Sequence, residues 1–435
     1  MLFFNRPLVG LVLVGLVLAV LSGPVIAAST AANSTAGVSA LTLEEAIGIA
    51  VKRDAVLAQR LSQAQAMRET AVASGELPDP TVSLGVMNVP TDSFALDAEP
   101  MTQVTLGVSQ QFLAGDSADL REVRGMQRAQ GFTARALERR LSVVRSVREL
   151  WFKLRYTQQA LDFARAGREA AAALIDLLSA RYASGAVSQQ ALLRARLQLG
   201  AFTEKVLQLE AELQSLRGLL VRWVGPELAQ QTLTYAFSDV PAPIPYQNLL
   251  QQLPDHPLLA VQRAAIDASQ TTQALAEEAY EPSWTLSLQY GARQGYSPLS
   301  NRPNSDVVSA MVSMSLPLFA DDRQDRNAAA ARSETQAARF AWENQLRQLR
   351  AQLEAAWAQW IRYSELETLY KTDLIPAALA RVEAARSAYE NSAGDIDTLI
   401  EARLGALETQ TNAARISRKR ATAQAVLLYL AGEKS

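Results

Sequence analysis

The sequence predicts a mainly α-helical protein with a small β part, built from two structural repeats that each run helix, strand, strand, long helix, helix. Three observations predict it: long proline-free stretches with heptad-like apolar spacing, four short segments of alternating polarity, and an internal duplication at a fixed interval. At 435 residues the chain has room for more than one domain. Lys+Arg is 42 and Asp+Glu is 44, a balance that argues against a general nucleic-acid binder. Hydrophobic residues reach 49% while aromatics are only 6%, a composition that suits long helices better than a compact aromatic core.

The N-terminus reads as a signal peptide over residues 1–27. Arg6 supplies the positive region, and Leu8–Leu21 is an unbroken apolar run of 14 residues. Such a run is shorter than the roughly 20 residues that cross a bilayer as a helix. Val25-Ile26-Ala27 places small residues at the positions a signal peptidase requires, with Ala28 as the alternative end. A Ser/Thr/Ala-rich flexible leader follows over residues 28–40. The sequence holds no cysteine, which excludes a disulfide framework, zinc-finger chemistry and an N-terminal lipid carried on cysteine.

The first repeat is expected over 41–233 and the second over 246–432, with a Pro-rich linker at 234–245. Between Pro100 and Pro226 there is no proline, and after Pro317 there is only Pro376. Because proline breaks helix interiors, these gaps hold long helices. Leu137, Leu141, Val144, Trp151, Leu154 and Leu161 recur at gaps of 3, 4 and 7. Leu199, Val206, Leu209, Leu213, Leu216 and Leu220 do the same, as do Leu346, Leu349, Leu353, Trp357 and Trp360. This is the seam of helices packed side by side in coiled-coil fashion.

Strands are expected at about 81–88, 103–112, 283–290 and 307–319. Val82, Leu84 and Val86 alternate with Thr81, Ser83 and Gly85, and the other three segments repeat the pattern. Period-2 alternation gives one apolar and one polar face. Each segment is near the length of a transmembrane β-strand. The two pairs are joined by loops rich in Pro, Asp, Asn and Ser. A sheet in lipid must close on itself, and single-chain barrels start at about 8 strands. Four strands per chain are too few, so several chains must pool theirs, and three copies supply 12.

The duplication is explicit. Pro80-Thr81-Val82-Ser83-Leu84 matches Pro282-Ser283-Trp284-Thr285-Leu286, and Gln111-Phe112 matches Leu318-Phe319. Tyr182-Ala183-Ser184-Gly185, followed by Leu192-Leu193-Arg194-Ala195-Arg196, matches Tyr389-Glu390-Asn391-Ser392, followed by Leu399-Ile400-Glu401-Ala402-Arg403, at an interval of 207.

On these residues the sequence resembles the TolC family of outer-membrane efflux proteins, over about Leu41 to Gly432. The Tyr-x-x-Gly turn with its Leu-Leu-x-Ala-Arg sequel looks like the family's periplasmic-tip signature, and Ser392 departs from the usual glycine in the second copy. Leu77-Pro78-Asp79-Pro80, Asn88-Val89-Pro90, Ser93-Phe94, Glu99-Pro100-Met101-Thr102 and Ser109-Gln110 look like the CzcC/CusC-like branch that serves heavy-metal cation exporters. The resemblance implies a homotrimer with a 12-stranded barrel in outer-membrane lipid and a 12-helix periplasmic tunnel. It also implies docking to a periplasmic adaptor and an inner-membrane RND-type pump, with no enzymatic activity and no cofactor.

The residues this reading singles out lie at the two helix turns. Glu401 matches a constriction aspartate of the family, and Asp395 and Asp397 add carboxylates that threefold symmetry would turn into cation-attracting rings. The bland alternative is that they are solvated helix-start acids suited to the helix dipole. Gly185 supplies a left-handed turn residue or a close approach. Tyr182 and Tyr389 either hold the closed tip through their hydroxyls or simply pack between helices. Arg181, Arg194 and Arg403 are candidates to pair with the acids across helices. His256, the one histidine, reads as a turn residue before a helix rather than a metal ligand. Met87, Met101, Met311 and Met314 read as lipid-facing or packed residues rather than soft-metal ligands. The rival class is an exported coiled-coil structural protein, which needs no alternating strands.

Overall fold

The structure, a computed structural model, describes residues 40–234, 241–297, 301–391 and 393–432. The expected signal peptide, the leader up to residue 39 and residues 235–240 of the linker fall outside these residues.

Helix α1 (Leu43–Arg53) opens on a capping box: Glu45 N–H donates to Thr42 Oγ1, and Thr42 N–H donates to Glu45 Oε2 at 3.0 Å. Helix α2 (Ala55–Gly75) starts at Asp54, whose Oδ1 accepts Leu57 N–H at 2.7 Å. Strands β1 (Thr81–Met87) and β2 (Gln103–Phe112) follow, then α3 (Ser117–Ala183), a helix of 67 residues. At 1.5 Å per residue it is about 100 Å long. Helix α4 (Gln189–Val224) returns alongside it, and α5 (Pro226–Ala229) ends the first repeat.

The second repeat copies this order. Helix α6 (Tyr246–Gln252) and a 3-10 turn (Leu253–Asp255) lead into α7 (Pro257–Glu278), then β3 (Trp284–Arg293) and β4 (Val307–Met314). Helix α8 (Gln324–Leu369) runs through a π turn (Tyr370–Leu374) into α9 (Ile375–Glu390), and α10 (Ile396–Leu430) returns. Every boundary of α3 recurs 207 residues on: Ser117 with Gln324, Ala183 with Glu390. The turn bonds recur too. Ala186 N–H reaches Arg181 O at 2.9 Å, and Ala393 N–H reaches Ala388 O at 2.8 Å.

Side by side, α2 packs on α3, α3 on α7 and α7 on α8 near the sheet; farther away α4 packs on α3, α3 on α10, and α10 on α8 and α9. The core is a chain of seams rather than one globule. The largest joins α1, α3 and α4 through Val143, Val147, Leu154, Leu161, Leu209 and Leu220. A matching one joins α6, α8 and α10 through Leu249, Leu253, Leu349, Leu353, Leu427 and Leu430. Trp151, Leu154 and Leu161 take core positions as the spacing requires, but Leu137 is exposed and Val143 and Val147 carry the seam beside Val144. A rod this long drifts against a strict heptad, so the buried stripe steps sideways.

The four strands form one antiparallel sheet in the order β1-β2-β3-β4. Three strand expectations hold to within a few residues, β3 running on to Arg293. The fourth needs correction: β4 ends at Met314 instead of reaching 319. Ser315 N–H still bonds Ser283 O, but Pro317 has no N–H to give and Leu318 N–H folds back to Leu316 O at 2.9 Å. Leu318-Phe319 is therefore not the strand counterpart of Gln111-Phe112. Pro376 lies in the first turn of α9, and the π turn directly before it absorbs its missing donor, so the helix runs on through it.

Candidate functional site: the two faces of the sheet and the helix turns

The ladder register decides which side chains share a face. Leu84 stands opposite Leu106, Leu106 opposite Tyr290, and Tyr290 opposite Val308. One row further on, Val82, Val108, Leu288 and Ala310 align. All these residues are even-numbered, so one face carries Val, Leu, Tyr and Ala across four strands. It is open to the surroundings: Leu84 is 79% exposed, Val82 70% and Val308 68%. At its helix end Phe112, Trp284 and Met314 align as a partly exposed row, and Phe319, five residues past β4, is 83% exposed. An apolar area of this extent is a partner or lipid surface, and the aromatic row resembles the girdle of a membrane barrel.

The odd-numbered face is polar: Thr81, Ser83, Gln103, Thr105, Ser287, Gln289 and Ser309. The far end of the first hairpin is locked by Asn88, at φ +57°, whose carbonyl accepts Thr102 Oγ1–H at 2.7 Å while its amide donates to Met101 O at 3.1 Å. Among the described residues β1 pairs with β2 alone and β4 with β3 alone, which leaves two sheet edges open. No described helix is long and apolar enough to cross a membrane.

The two helix turns share one end of the bundle. Leu174 and Leu178 of α3, Leu192 and Ala195 of α4, and Ile400 and Leu404 of α10 form one buried cluster beside them. Gly185 adopts φ +77° with open space where a Cβ would stand, so its left-handed backbone, and not a close approach, calls for glycine. Ser188 caps α4 by accepting Ala191 N–H at 3.3 Å. Ser392 lies outside the described residues.

The acids are on α10. Asp395 occupies the N-cap without a side-chain cap bond, Asp397 is in the first turn, and Glu401 is exposed one turn on. Asp397 Oδ1 is buried with no hydrogen-bond partner in the protomer. Glu401 lines a groove of about 550 Å³ between α3, α4, α9 and α10, together with Lys205, Arg381 and Glu408. Arg403 lines a neighbouring groove against α3 and α9. Tyr182 and Tyr389 are 45% and 37% exposed, and neither hydroxyl is hydrogen-bonded among the described residues. Among the described residues Arg181, Arg194 and Arg403 make no ion pair with the acids.

His256 is the N-cap of α7 and is 1% exposed. Its Nδ1 accepts Leu258 N–H at 3.2 Å, so its Nε2–H donates to Tyr429 O, also at 3.2 Å. Burial pushes its pKa down to about 4, with Arg145 adding to the effect against the Tyr429 carbonyl. Both ring nitrogens are used inside the fold. Of the methionines, Met314 lies on the apolar face, Met87 and Met311 lie at opposite ends of the polar face, and Met101 is in a loop. The lipid-facing reading therefore suits Met314 but not Met87 or Met311.

One group was missed by sequence reasoning. Arg121, Arg124 and Arg128 follow i, i+3, i+7 spacing on α3 just below the sheet. The spacing itself was readable; that none of the three is ion-paired among the described residues was not.

No protein-family model matches the sequence, and no curated protein matches it in sequence. Solved structures do match. The outer membrane protein VceC of Vibrio cholerae shares 17% identity at a TM-score of 0.71, covering 90% of this chain and 96% of that one. The fold is that of outer-membrane channels. The outer-membrane channel OprN matches at 16% identity and a TM-score of 0.73, covering 90% of this chain and 89% of its own. CusC, a transmembrane channel, matches at 16% and 0.72, covering 89% and 91%. The expected fold of the single chain, mainly α with a small sheet in two repeats, is thus borne out, while the metal-exporter branch is not singled out.

Proposed function

We propose that three copies of this chain form an outer-membrane exit duct in a tripartite efflux system. The observation that carries this reading is the exposed apolar face of a four-stranded sheet with two open edges. In lipid every backbone donor and acceptor needs a partner, so β4 of one copy pairs with β1 of the next until 12 strands close. The four-abreast helices then close into a 12-helix tunnel that projects into the periplasm. An RND-type inner-membrane pump and a periplasmic adaptor deliver the cargo, and the duct itself performs no bond chemistry. A coiled-coil spacer has no use for such a sheet.

The cargo first expected is a heavy-metal cation, and the acids Asp395, Asp397 and Glu401 are the feature in its favour. A small-molecule cargo is favoured instead by the arginines under the sheet. The primary test is the mass of the purified protein in detergent by light scattering. Three chains per particle are expected; a single chain, or recovery from the soluble periplasm without detergent, defeats the duct. At the tip, Glu401→Gln is expected to raise single-channel conductance in planar bilayers, and unchanged conductance removes Glu401 from the gate. Deletion of the protein should sensitise cells to metals if the cargo is a cation, and to organic solutes alone if it is not.

A further inference from the structure

Arg121, Arg124 and Arg128 fall on one face of α3, within about 10 Å along its axis at 1.5 Å per residue. Asp119 and Glu122, at about 100° per residue, point elsewhere; Glu122 packs against Gly75 of α2. Among the described residues none of the three arginines makes an ion pair or hydrogen bond. Like charges one helical turn apart repel, and burial together with Arg128 and Arg121 pushes the Arg124 guanidinium pKa below its ordinary value. On α7, Glu278 accepts Asp116 N–H at 3.0 Å and does not line the cavity with Arg121 and Arg124, so the cluster faces that cavity without a paired acid.

Two adjoining cavities run along the α3–α7 seam. The upper one, about 470 Å³, is lined by Arg121 and Arg124 with Gln111, Ser117 and Ser283, and no acid lines it. The lower one, about 450 Å³, is lined by Arg128 and Arg135 with Thr272, and Glu334 is its one carboxylate. Arg135 stacks over Phe132 at 5.2 Å. The lower cavity also takes Met67 of α2 and Glu334 of α8, the two end members of the helix row. Side-by-side helices bring their end members to one cavity only on the concave side, which in a closed tube is the bore. Gln111 and Ser283 are odd-numbered, the parity of the polar sheet face, and agree with that side.

We propose that these arginines form an anion-binding station in the bore just below the barrel, suited to solutes carrying sulfonate, phosphate or carboxylate groups. The proposal rests on the duct reading and specifies its cargo. Three copies bring nine guanidinium groups to one level of the tube. Guanidinium donors bind such oxyanions by charge-assisted and bidentate hydrogen bonds, and a ring of them opposes the passage of bare metal cations. The acids of α10 stand at the other end of the helices, so the two charged levels act in series.

The test uses the full chain purified in detergent, titrated at low ionic strength with pyrene-1,3,6,8-tetrasulfonate and followed by fluorescence anisotropy. Light scattering on the same sample reports its oligomeric state. Wild type is expected to bind, and the joint change Arg121→Gln, Arg124→Gln and Arg128→Gln to weaken binding by about tenfold or more. The corresponding triple lysine variant, which keeps the charge, should retain most of the affinity and guards against misfolding. Equal binding by wild type and the glutamine variant overturns the station. So does wild type that binds short-chain phosphatidylglycerol but not the tetrasulfonate, since that places the arginines on the lipid side. A trimer without binding sinks the station and leaves the duct; a monomer that binds sinks the duct instead.

Discussion

The two repeats start their strand-bound helices with the same device and opposite chemistry. Helix α2 begins at Asp54 and α7 at His256, and each side chain accepts a backbone N–H of the first turn. Asp54 is an ion: Arg139 grips it in two-pronged fashion, Nε to Oδ1 at 3.0 Å and Nη2 to Oδ2 at 2.7 Å. That grip, helped by the bond from Leu57 against the cost of burial, holds its pKa below the usual carboxylate range. His256 is neutral, buried, and set edge-on to Tyr429 at 5.0 Å between ring centroids. At the position 207 residues beyond Arg139 stands Leu346, packed on an apolar cluster. The cation nearest the second cap, Arg145, stacks over the Tyr429 ring at 4.3 Å and grips no carboxylate there, so burial and its charge together favour an uncharged acceptor at His256. A duplicated fold therefore keeps the capping geometry while the packing over the cap decides its charge.

The sharpest way to break this comparison is at Asp54. The change Asp54→Ala removes a cap and leaves Arg139 without its partner at a site where the Asp54 side chain is only 6% exposed. Loss of one partner of such a pair costs about 3 kcal/mol, measurable as a lower midpoint in chemical unfolding. His256→Ala removes a cap but strands no charge, and should cost about 1–2 kcal/mol. Equal losses at the two sites would show that the ionic and neutral caps are energetically interchangeable.

Acid separates the two sites next. His256 titrates near 4 in the fold and near 6.5 when unfolded. Its contribution is therefore complete above about pH 6.5 and is lost as pH falls through 4, about 3 kcal/mol in all. Asp54, with a depressed pKa, keeps its contribution down to the ordinary carboxylate range and loses it only below. Lowering pH from 7 to 5 should thus loosen the α7–α10 junction before the α2–α3 junction, as read by amide hydrogen exchange around Leu258 and Leu57. Simultaneous loss at both would refute the assignment.

How much of this was legible beforehand follows the range of the interactions. The turns at Tyr182 and Tyr389, the strand faces and the length of α3 are local patterns, and period, glycine and proline disclosed them. The end of β4 was misplaced because alternation continues through Leu316 and Leu318 while the hydrogen bonding does not. The partner of His256 lies 173 residues away at Tyr429, and that of Asp54 lies 85 residues away, beyond any periodicity. At the tip the composition marked the acids, but the grooves that hold Glu401 and Arg403 arise from helices brought together by the fold.

The long helices offer the smallest and most instructive contrast. Over the same 207-residue interval, α3 is continuous and buries residues along its length, whereas its counterpart is divided by the π turn and α9 has no buried residue in the protomer. Glu169 stands where the second repeat has Pro376. Proline lacks an N–H and its ring crowds the preceding turn's carbonyl, so the widened turn is its direct consequence. The first repeat is then a strut, and α9 a segment jointed to α8 and lightly held against α10. Pro376→Ala restores the missing donor and should stabilise the helix by about 1 kcal/mol, seen as slower hydrogen exchange across 370–374. If the joint serves the tip, the same variant should lengthen closed intervals in single-channel recordings. Slower exchange with unchanged gating would leave α9 as a loosely packed arm whose motion does not govern the opening.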